Sequence, residues 1–174
     1  MTARIRTARE LSRSCIRAFG LTALTSALAC VFFSHCIWNW TPSLPLGLYW
    51  LSPGVGKRAE LVAFPVPDSV RALVAERHYL PCRALLIKPI VAQAGDDVCT
   101  DGGTLTVNEE PVGAIAARDS AGRPLPHPDF CGSVPEGLLY VASHHPRSFD
   151  SRTFGPIAVR DVRGTVTPIW TYLP

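Results

Sequence analysis

One long apolar segment near the N-terminus dominates the pattern of hydrophobic and polar positions along the chain. No charged residue occurs from Ala18 to about Ile37, a run of roughly 20 residues. An α-helix of that length crosses the ~30 Å hydrocarbon core of a bilayer. Trp38 and Trp40 follow directly, as aromatic residues do at a membrane interface. The pattern predicts a transmembrane helix over residues 18–38.

After this segment the apolar runs are short and are separated by Pro and Gly. Strands are predicted at 48–51, 60–64, 85–91, 98–100, 104–107 and 138–143, with one or two more within 157–169. A short helix is predicted from Asp68, as its cap, to Arg77. Residues 113–136 are rich in Gly, Pro and small side chains and are predicted to form a surface loop. The fold class is therefore mainly β, a barrel or sandwich of short strands.

Charge is distributed unevenly along the chain. Residues 1–17 hold five arginines against Glu10, so this tail has a net charge of +4. The formal net charge of the whole chain is +3, so the remainder carries −1. Positive residues before a span mark its cytoplasmic side. We therefore predict a cytoplasmic tail over 1–17, a signal anchor over 18–38 and an outer domain over 39–174, which lies in a bacterial periplasm or an equivalent space. Because the basic residues belong to the tail, they give no support for nucleic-acid binding.

A cleaved leader is the alternative to an anchor. Ala27-Leu28-Ala29 resembles a secretory cleavage site, and Cys30 follows it as a lipoprotein cysteine would. The apolar run continues through Phe33, however, so cleavage would leave an exposed apolar end. Ala27 also stands where a lipoprotein signal usually has leucine. These features favour an uncleaved anchor.

Six cysteines without a Cys-x-x-Cys pair argue against thioredoxin-like chemistry and the common zinc patterns. Cys82, Cys99 and Cys131 lie in the predicted outer domain, where disulfides persist. We favour a Cys99–Cys131 disulfide, because it would tie a predicted hairpin to the long Pro-rich loop, but the sequence leaves other pairings open. The neighbouring His144 and His145 lack a spaced third ligand, so no metal and no cofactor is predicted.

Ser43 is the candidate nucleophile. It lies a few residues beyond the predicted span, in a turn that Pro42 and Pro45 restrict and in which Gly47 permits a close bend. A serine in such a position is most often only a turn residue. Thr41 stands two residues earlier, and its hydroxyl with the Ser43 N–H is a candidate oxyanion hole, because Pro42 has no N–H.

Lys88 is the candidate general base. A lysine in a strand often lies on the solvent face, but Leu86 and Ile90 make this run apolar around it. Burial lowers the pKa of a lysine, and a neutral amine can take the proton of Ser43. Pro89 predicts a sheet edge or a bulge, at which the amine could be aimed into a cleft.

The segment 148–156 is the third candidate element. Asp150 and Arg152 are predicted to form an ion pair that fixes this turn. Ser148 is a candidate to hydrogen-bond the amine of Lys88 and orient it. An ordinary polar turn with a structural salt bridge would have the same composition.

Together these elements resemble the membrane-anchored signal peptidases, serine peptidases with a Ser-Lys dyad on an all-β fold. The resemblance covers nearly all of residues 18–170. Its parts are the apolar segment, the Ser43 turn, the Lys88 strand followed by Ala94-Gly95-Asp96, the Val107-Asn108 hairpin end, and Asp150-Ser151-Arg152. It implies Ser43 as the nucleophile, Lys88 as the general base and Asp150 as a supporting acid.

Within that superfamily the chain is most similar to the conjugative transfer branch. The similarity lies in the Asn39-x-Thr41-x-Ser43-x-Pro45-x-Gly47-x-Tyr49 pattern and in the 148–156 segment. It implies a membrane-inserted precursor, such as a pilin subunit, as the substrate, with inner-membrane lipid and a conjugative transfer complex as surroundings. It also implies a pocket for small residues, for which Leu44 and Leu86 are candidates.

Two alternatives stand beside a pilin-maturing peptidase. One is a general or secretion-linked signal peptidase that acts on other precursors. The other is an anchored assembly scaffold that keeps the fold without the chemistry. Retention of both Ser43 and Lys88 argues against the scaffold, because a scaffold has no need of that pair. Whether the chain cyclises a product does not follow from the sequence.

Overall fold

A computed structural model describes residues 2–81 and 83–173, with side chains described from residue 16 onward. Cys82, one of the three outer cysteines, lies outside the described residues. The chain divides between Cys36 and Ile37 into two compact units.

The first unit is formed by helix α1, Thr2–Ser34. Its apolar part, Ile16–Ser34, is the one stretch of the described chain that is long and apolar enough to cross a membrane. The side chains of this stretch are exposed within the unit, as those of a lipid-facing helix are. The helix ends earlier than the predicted span, because Cys36–Asn39 forms a strand.

The second unit is mainly β, which confirms the predicted fold class. Its strands are β1 Cys36–Asn39, β2 Leu46–Ser52, β3 Leu61–Pro65, β4 Leu85–Ala92, β5 Asp97–Cys99, β6 Thr104–Val107, β7 Glu110–Ala114, β8 Cys131–Ser133, β9 Leu138–Val141, β10 Ile157–Ala158 and β11 Gly164–Tyr172. The two short helices described among them are α2 Asp68–Glu76 and α3 Ser151–Phe154.

These strands form two sheets. The larger has seven strands in the order β1-β2-β11-β3-β4-β9-β10, and the smaller has four in the order β7-β6-β5-β8. Strand β4 lies between β3 and β9, and Lys88 in β4 is paired with Val62 in β3. The central position of β4 therefore surrounds this lysine with buried backbone and apolar side chains.

Three apolar clusters fill the second unit. One packs α2 and α3 against the larger sheet, around Phe64, Ile90 and Phe154. Another lies over the smaller sheet around Val98 and Leu105, and a third joins β2, β3 and β4. Because β4 contributes to more than one cluster, it is buried on both faces, as its apolar sequence predicts.

Three local predictions need correction. Pro89 marks no sheet edge, because β4 is an inner strand, whereas the alternative expectation of a bulge agrees with a register shift against β9 between Ile90 and Ala92. Asp68 is the first helical residue rather than the cap, a position held by Pro67 without a side-chain hydrogen bond. The predicted loop 113–136 is not wholly irregular, since it contains the end of β7 and all of β8.

Candidate active site

Ser43 lies in the tight turn between β1 and β2, and Asn39 holds that turn together. The Asn39 side chain is buried, and its amide donates hydrogen bonds to the carbonyls of Thr41 (3.1 Å), Leu44 (3.2 Å) and Pro45 (3.1 Å). Its Oδ1 accepts from the backbone N–H of Thr41 at 3.2 Å. One asparagine therefore fixes the backbone on both sides of the serine.

The far side of the turn is fixed by strand β2. The hydroxyl of the buried Tyr49 donates to the carbonyl of Pro45 at 2.7 Å. Gly47 has φ +136°, and a Cβ on it would overlap the backbone of Trp170 in β11. Glycine is thus required for the close approach of the two strands rather than for the bend of the turn.

Lys88 is 2% exposed, and its Nζ is in hydrogen-bond contact with Ser43 Oγ. The pKa of this lysine is lowered to about 8, chiefly because the amine is buried. The negative charge of Asp150 raises the pKa, and the positive charge of Arg152 lowers it. A fraction of the amine is consequently neutral near physiological pH, which a general base requires. The structure therefore brings together the two residues that the sequence singled out.

Asp150 and Arg152 form a buried ion pair behind the lysine. Arg152 Nε and Nη2 donate to the two oxygens of Asp150 at 2.9 and 2.8 Å, and both side chains are almost wholly buried. The Asp150 carboxylate also accepts from the N–H of Arg152, where it caps α3, and from the N–H of Ser143. Arg152 donates further to the carbonyls of Ser143 and His145.

Two predicted hydrogen-bond roles are not seen. Ser148 Oγ is buried but has no hydrogen-bond partner in the described chain, so it does not orient Lys88 here. The Thr41 hydroxyl donates to Asn39 Oδ1 at 3.0 Å and lies 3.4 Å from Ser43 Oγ. The predicted oxyanion role would require this hydroxyl to turn away from Asn39.

The pair opens into a cleft of about 450 Å³. Leu86 lines this cleft, as expected for a pocket residue, whereas Leu44 packs into the core beneath β2. Tyr79, Leu80 and Phe149 also line the cleft and form another part of its apolar wall. The segment around residues 116–125, predicted only as a surface loop, forms the opposite wall.

The favoured disulfide is present: Cys99 is bonded to Cys131 and pairs with it across β5 and β8. It closes the end of the long loop that forms the cleft wall. Cys30 and Cys36 are free thiols in the described chain. His145 reaches the cleft and His144 is exposed, and no group of three metal-ligating side chains occurs among the described residues.

Comparison with known proteins identifies the family. The family model described as "Signal peptidase, peptidase S26" matches residues 8–171. This chain belongs to the S26 signal peptidase family. A probable conjugal transfer protein TraF from Sinorhizobium fredii is 33% identical over 171 residues, which covers 89% of each chain.

Two further proteins are similar to this chain. A plasmid transfer protein TraF from Escherichia coli is 32% identical over 146 residues, covering 77% of this chain and 82% of that protein. A crystal structure of a signal peptidase I from Enterococcus faecalis is 25% identical, covers 67% of this chain and all of that chain, and has a TM-score of 0.40.

Two site residues of this S26 chain were not singled out from the sequence. Asn39 was noted only as part of a pattern, although an asparagine side chain commonly hydrogen-bonds the backbone two residues on, as Asn39 does with the N–H of Thr41. Asp119, which anchors the cleft wall, gave no signal at all, because its partners Arg77 and Tyr79 lie more than 35 residues away in sequence.

Proposed function

We propose that this protein is a membrane-anchored serine endopeptidase that processes exported precursors through a Ser43 acyl-enzyme, with Lys88 as the general base. The observation that carries the proposal is the contact between Lys88 Nζ and Ser43 Oγ at the edge of an open cleft. A buried lysine that contacts a serine can take the proton of the serine hydroxyl and so activate it as a nucleophile, which neither residue can do alone.

The acylation step follows from this geometry. Neutral Lys88 accepts the proton of the Ser43 hydroxyl as Oγ attacks the scissile carbonyl carbon. The N–H of Ser43 forms no hydrogen bond within the described chain and is free to donate to the oxyanion. When the tetrahedral intermediate collapses, the protonated Lys88 gives its proton to the leaving amine, and the acyl group remains as an ester on Ser43.

Deacylation decides the product. Water attacking the ester, with Lys88 again taking a proton, gives a cleaved carboxylate. An amine attacking the ester gives a new peptide bond and, if it belongs to the same chain, a ring. We propose a conjugative pilin subunit as the substrate and a conjugative transfer complex as the setting, and the relatives named for conjugal and plasmid transfer support that setting.

We also propose a cytoplasmic tail over 1–17, an inner-membrane anchor that begins at residue 18 and ends with the helix at Ser34, and a periplasmic peptidase domain that begins with β1. The arginine-rich tail and the apolar helix support this order. Trp38, Trp40 and Trp170 lie ring against ring, and the last two are largely exposed. Exposed tryptophans suit a lipid headgroup region, where an apolar ring meets a polar surface.

The direct test is the intact mass of a candidate pilin co-expressed with this chain, beside a Ser43→Ala control. We expect a mass loss only with Ser43 present, and ring closure would remove about 18 Da more than hydrolysis. If the pilin is unchanged, other exported precursors are tested in the same way. Ser43-dependent cleavage of those would indicate a general signal peptidase, and no cleavage of any would indicate a scaffold.

The pH dependence of cleavage is a separate prediction. Because the base must be neutral and burial lowers the pKa of Lys88 to about 8, kcat/KM is expected to rise with pH through about 8 and then level off. The measurement is the initial rate on one cleaved precursor between pH 6 and 10, about two pH units either side of the midpoint. A rate that falls over this range would contradict a lysine base.

A further inference from the structure

The cleft beside Ser43 carries an excess of positive charge. Besides Lys88, the side chains of Arg118 and Arg147 line it, and Asp119 is the single carboxylate among the lining residues described. Both arginines are exposed, and neither is in an ion pair within the described chain. The charge of the two guanidinium groups is therefore not compensated by the protein itself.

Asp119 does not neutralise them, because its carboxylate is already saturated. Its Oδ2 accepts from the hydroxyl of Tyr79, from Arg123 Nε at 2.7 Å and from Arg77 Nη1 at 3.4 Å. Its Oδ1 accepts from the N–H groups of Ala121 and Arg123, both at 2.9 Å. These hydrogen bonds, that of Tyr79 foremost, hold the pKa of Asp119 well below its ordinary value. The carboxylate is therefore ionised and engaged by these donors, and it is not available to pair with Arg118 or Arg147.

The same cluster fixes the loop that presents Arg118. Arg118 and Pro124 pair across a narrow hairpin, and the carbonyl of Pro124 accepts from Arg77 Nη1 at 2.9 Å. Arg118 Nη1 donates to the carbonyl of Gly122 at 2.7 Å, which leaves its remaining donors free. A guanidinium held by one hydrogen bond loses less conformational entropy on binding a second partner.

Arg147 comes from the segment that leads into the Asp150 turn. Its N–H donates to His145 Nδ1 at 3.2 Å, and the buried Arg152 holds the carbonyl of His145. The backbone that carries Arg147 is thus tied to the ion pair behind Lys88. Two separately anchored loops present one arginine each to the same cleft.

We propose that Arg118 and Arg147 form a subsite for a carboxylate of the substrate, next to the bond that Ser43 attacks. This inference rests on the proposed peptidase function and names a chemical feature of its substrate. The carboxylate comes either from an acidic side chain near the cleavage site or from the C-terminus of a precursor cut close to its end. A cationic side chain at the same place is disfavoured by the two guanidinium groups.

The effect is expected to be moderate, because both arginines are solvent-exposed and water and salt screen their charges. We expect a glutamate at the favoured position to bind about three- to tenfold more tightly than glutamine at low salt, and the ratio to fall as salt is added. Glutamine is the appropriate comparison, since it keeps the size and hydrogen bonding of the side chain without the charge.

Binding is measured with the full-length Ser43→Ala chain in a zwitterionic detergent, so the result does not depend on turnover. The probes are fluorescein-labelled peptides of Ala, Gly and Ser in which one Glu, Gln or Lys is moved along the peptide. Each peptide is made with a free and with an amidated C-terminus. A Glu preference that persists after amidation assigns the subsite to a side chain, and a preference lost on amidation assigns it to a chain terminus.

Arginine variants test the assignment. Arg118→Gln and Arg147→Gln are expected to reduce the preference, and the double variant to remove it. Arg160→Gln is the matched control, because Arg160 is exposed but does not line the cleft. The subsite would be overturned if Glu and Gln peptides, and peptides with free and amidated C-termini, bound with equal affinity at every position, or if none bound. A preference that survives in the double variant would overturn it as well. Failure of the proposed peptidase activity would appear separately, in the pilin mass experiment.

Discussion

Replacing Lys88 by methionine is expected to slow Ser43-dependent cleavage by about 10²- to 10⁴-fold, the range typical of a lost general base. Methionine fills the space of the buried stem but has no group to accept the Ser43 proton. Lys88→Arg is expected to be as inactive, because a guanidinium stays protonated. Initial rates on a precursor cleaved by the unaltered protein measure both variants.

The same Lys88→Met change is expected to stabilise the fold, which separates a catalytic lysine from a structural one. A pKa of about 8 in the folded protein against 10.5 for an ordinary lysine means that burial of the charged amine costs about 3 kcal/mol below pH 8. Methionine removes that cost and loses the contact with Ser43, worth about 1 kcal/mol. The net gain is therefore about 2 kcal/mol.

The gain must depend on pH in a definite sense. Between pH 8 and 10.5 the unfolded lysine binds a proton that the folded one does not, so the unaltered protein becomes more stable as pH rises through this window. The advantage of Lys88→Met should shrink accordingly. Denaturant unfolding of both proteins at pH 7 and 10 measures this difference in the free energy of unfolding. The lower pH lies about one unit below the pKa of Lys88 in the folded protein.

Lys57 provides the control, since it is the chain's other lysine and is exposed outside the cleft. Lys57→Met should change neither the rate nor the stability appreciably. A fully active Lys88→Met or Lys88→Arg protein would refute the proposed dyad. A Lys88→Met protein less stable than the unaltered chain at pH 7 would show that the buried amine is a structural group.

The pairing of Ser43 with Lys88 was predictable from the sequence because each residue breaks a local rule. Lys88 places a charge in a run of apolar residues, and Ser43 sits between prolines a few residues after the long apolar segment. Such conflicts between local sequence and structure are expected at functional sites. Most strands were predictable for the opposite reason, since their short apolar runs agree with the fold and their bounds differ by few residues. Strands β1, β7 and β8 were not predicted, because they lie in the predicted span, a predicted turn and the predicted loop.

What could not be predicted depends on contacts between distant parts of the chain. Pro89 predicts a sheet edge or a bulge because proline cannot donate a hydrogen bond to a neighbouring strand, and the sequence does not decide between the two. Strand β4 tolerates it inside the sheet, where its carbonyl still accepts from the N–H of Ala142. The Asp119 cluster likewise joins α2 to a loop more than 35 residues further on, and no spacing rule connects them.

Asp150→Asn is the substitution expected to damage the fold most. It leaves the Arg152 guanidinium, 3% exposed, without the carboxylate that neutralises it, and removal of one partner of a buried ion pair costs about 3–5 kcal/mol. The capping hydrogen bond at α3 is weakened as well. Denaturant unfolding gives the loss, and Asp68→Asn is the control, because Asp68 forms an exposed pair with Arg71 worth well under about 1 kcal/mol.

Any Asp150→Asn protein that remains folded reports on the site through its pH profile. Asp150 raises the pKa of Lys88 and Arg152 lowers it, so removal of the carboxylate alone must lower that pKa further. The midpoint of kcat/KM is therefore expected below pH 8, even though the maximal rate falls with the folded fraction. A purely structural role for Asp150 would reduce the amount of active protein and leave the midpoint in place. A midpoint that moves upward would contradict the electrostatic coupling of the buried ion pair to the base.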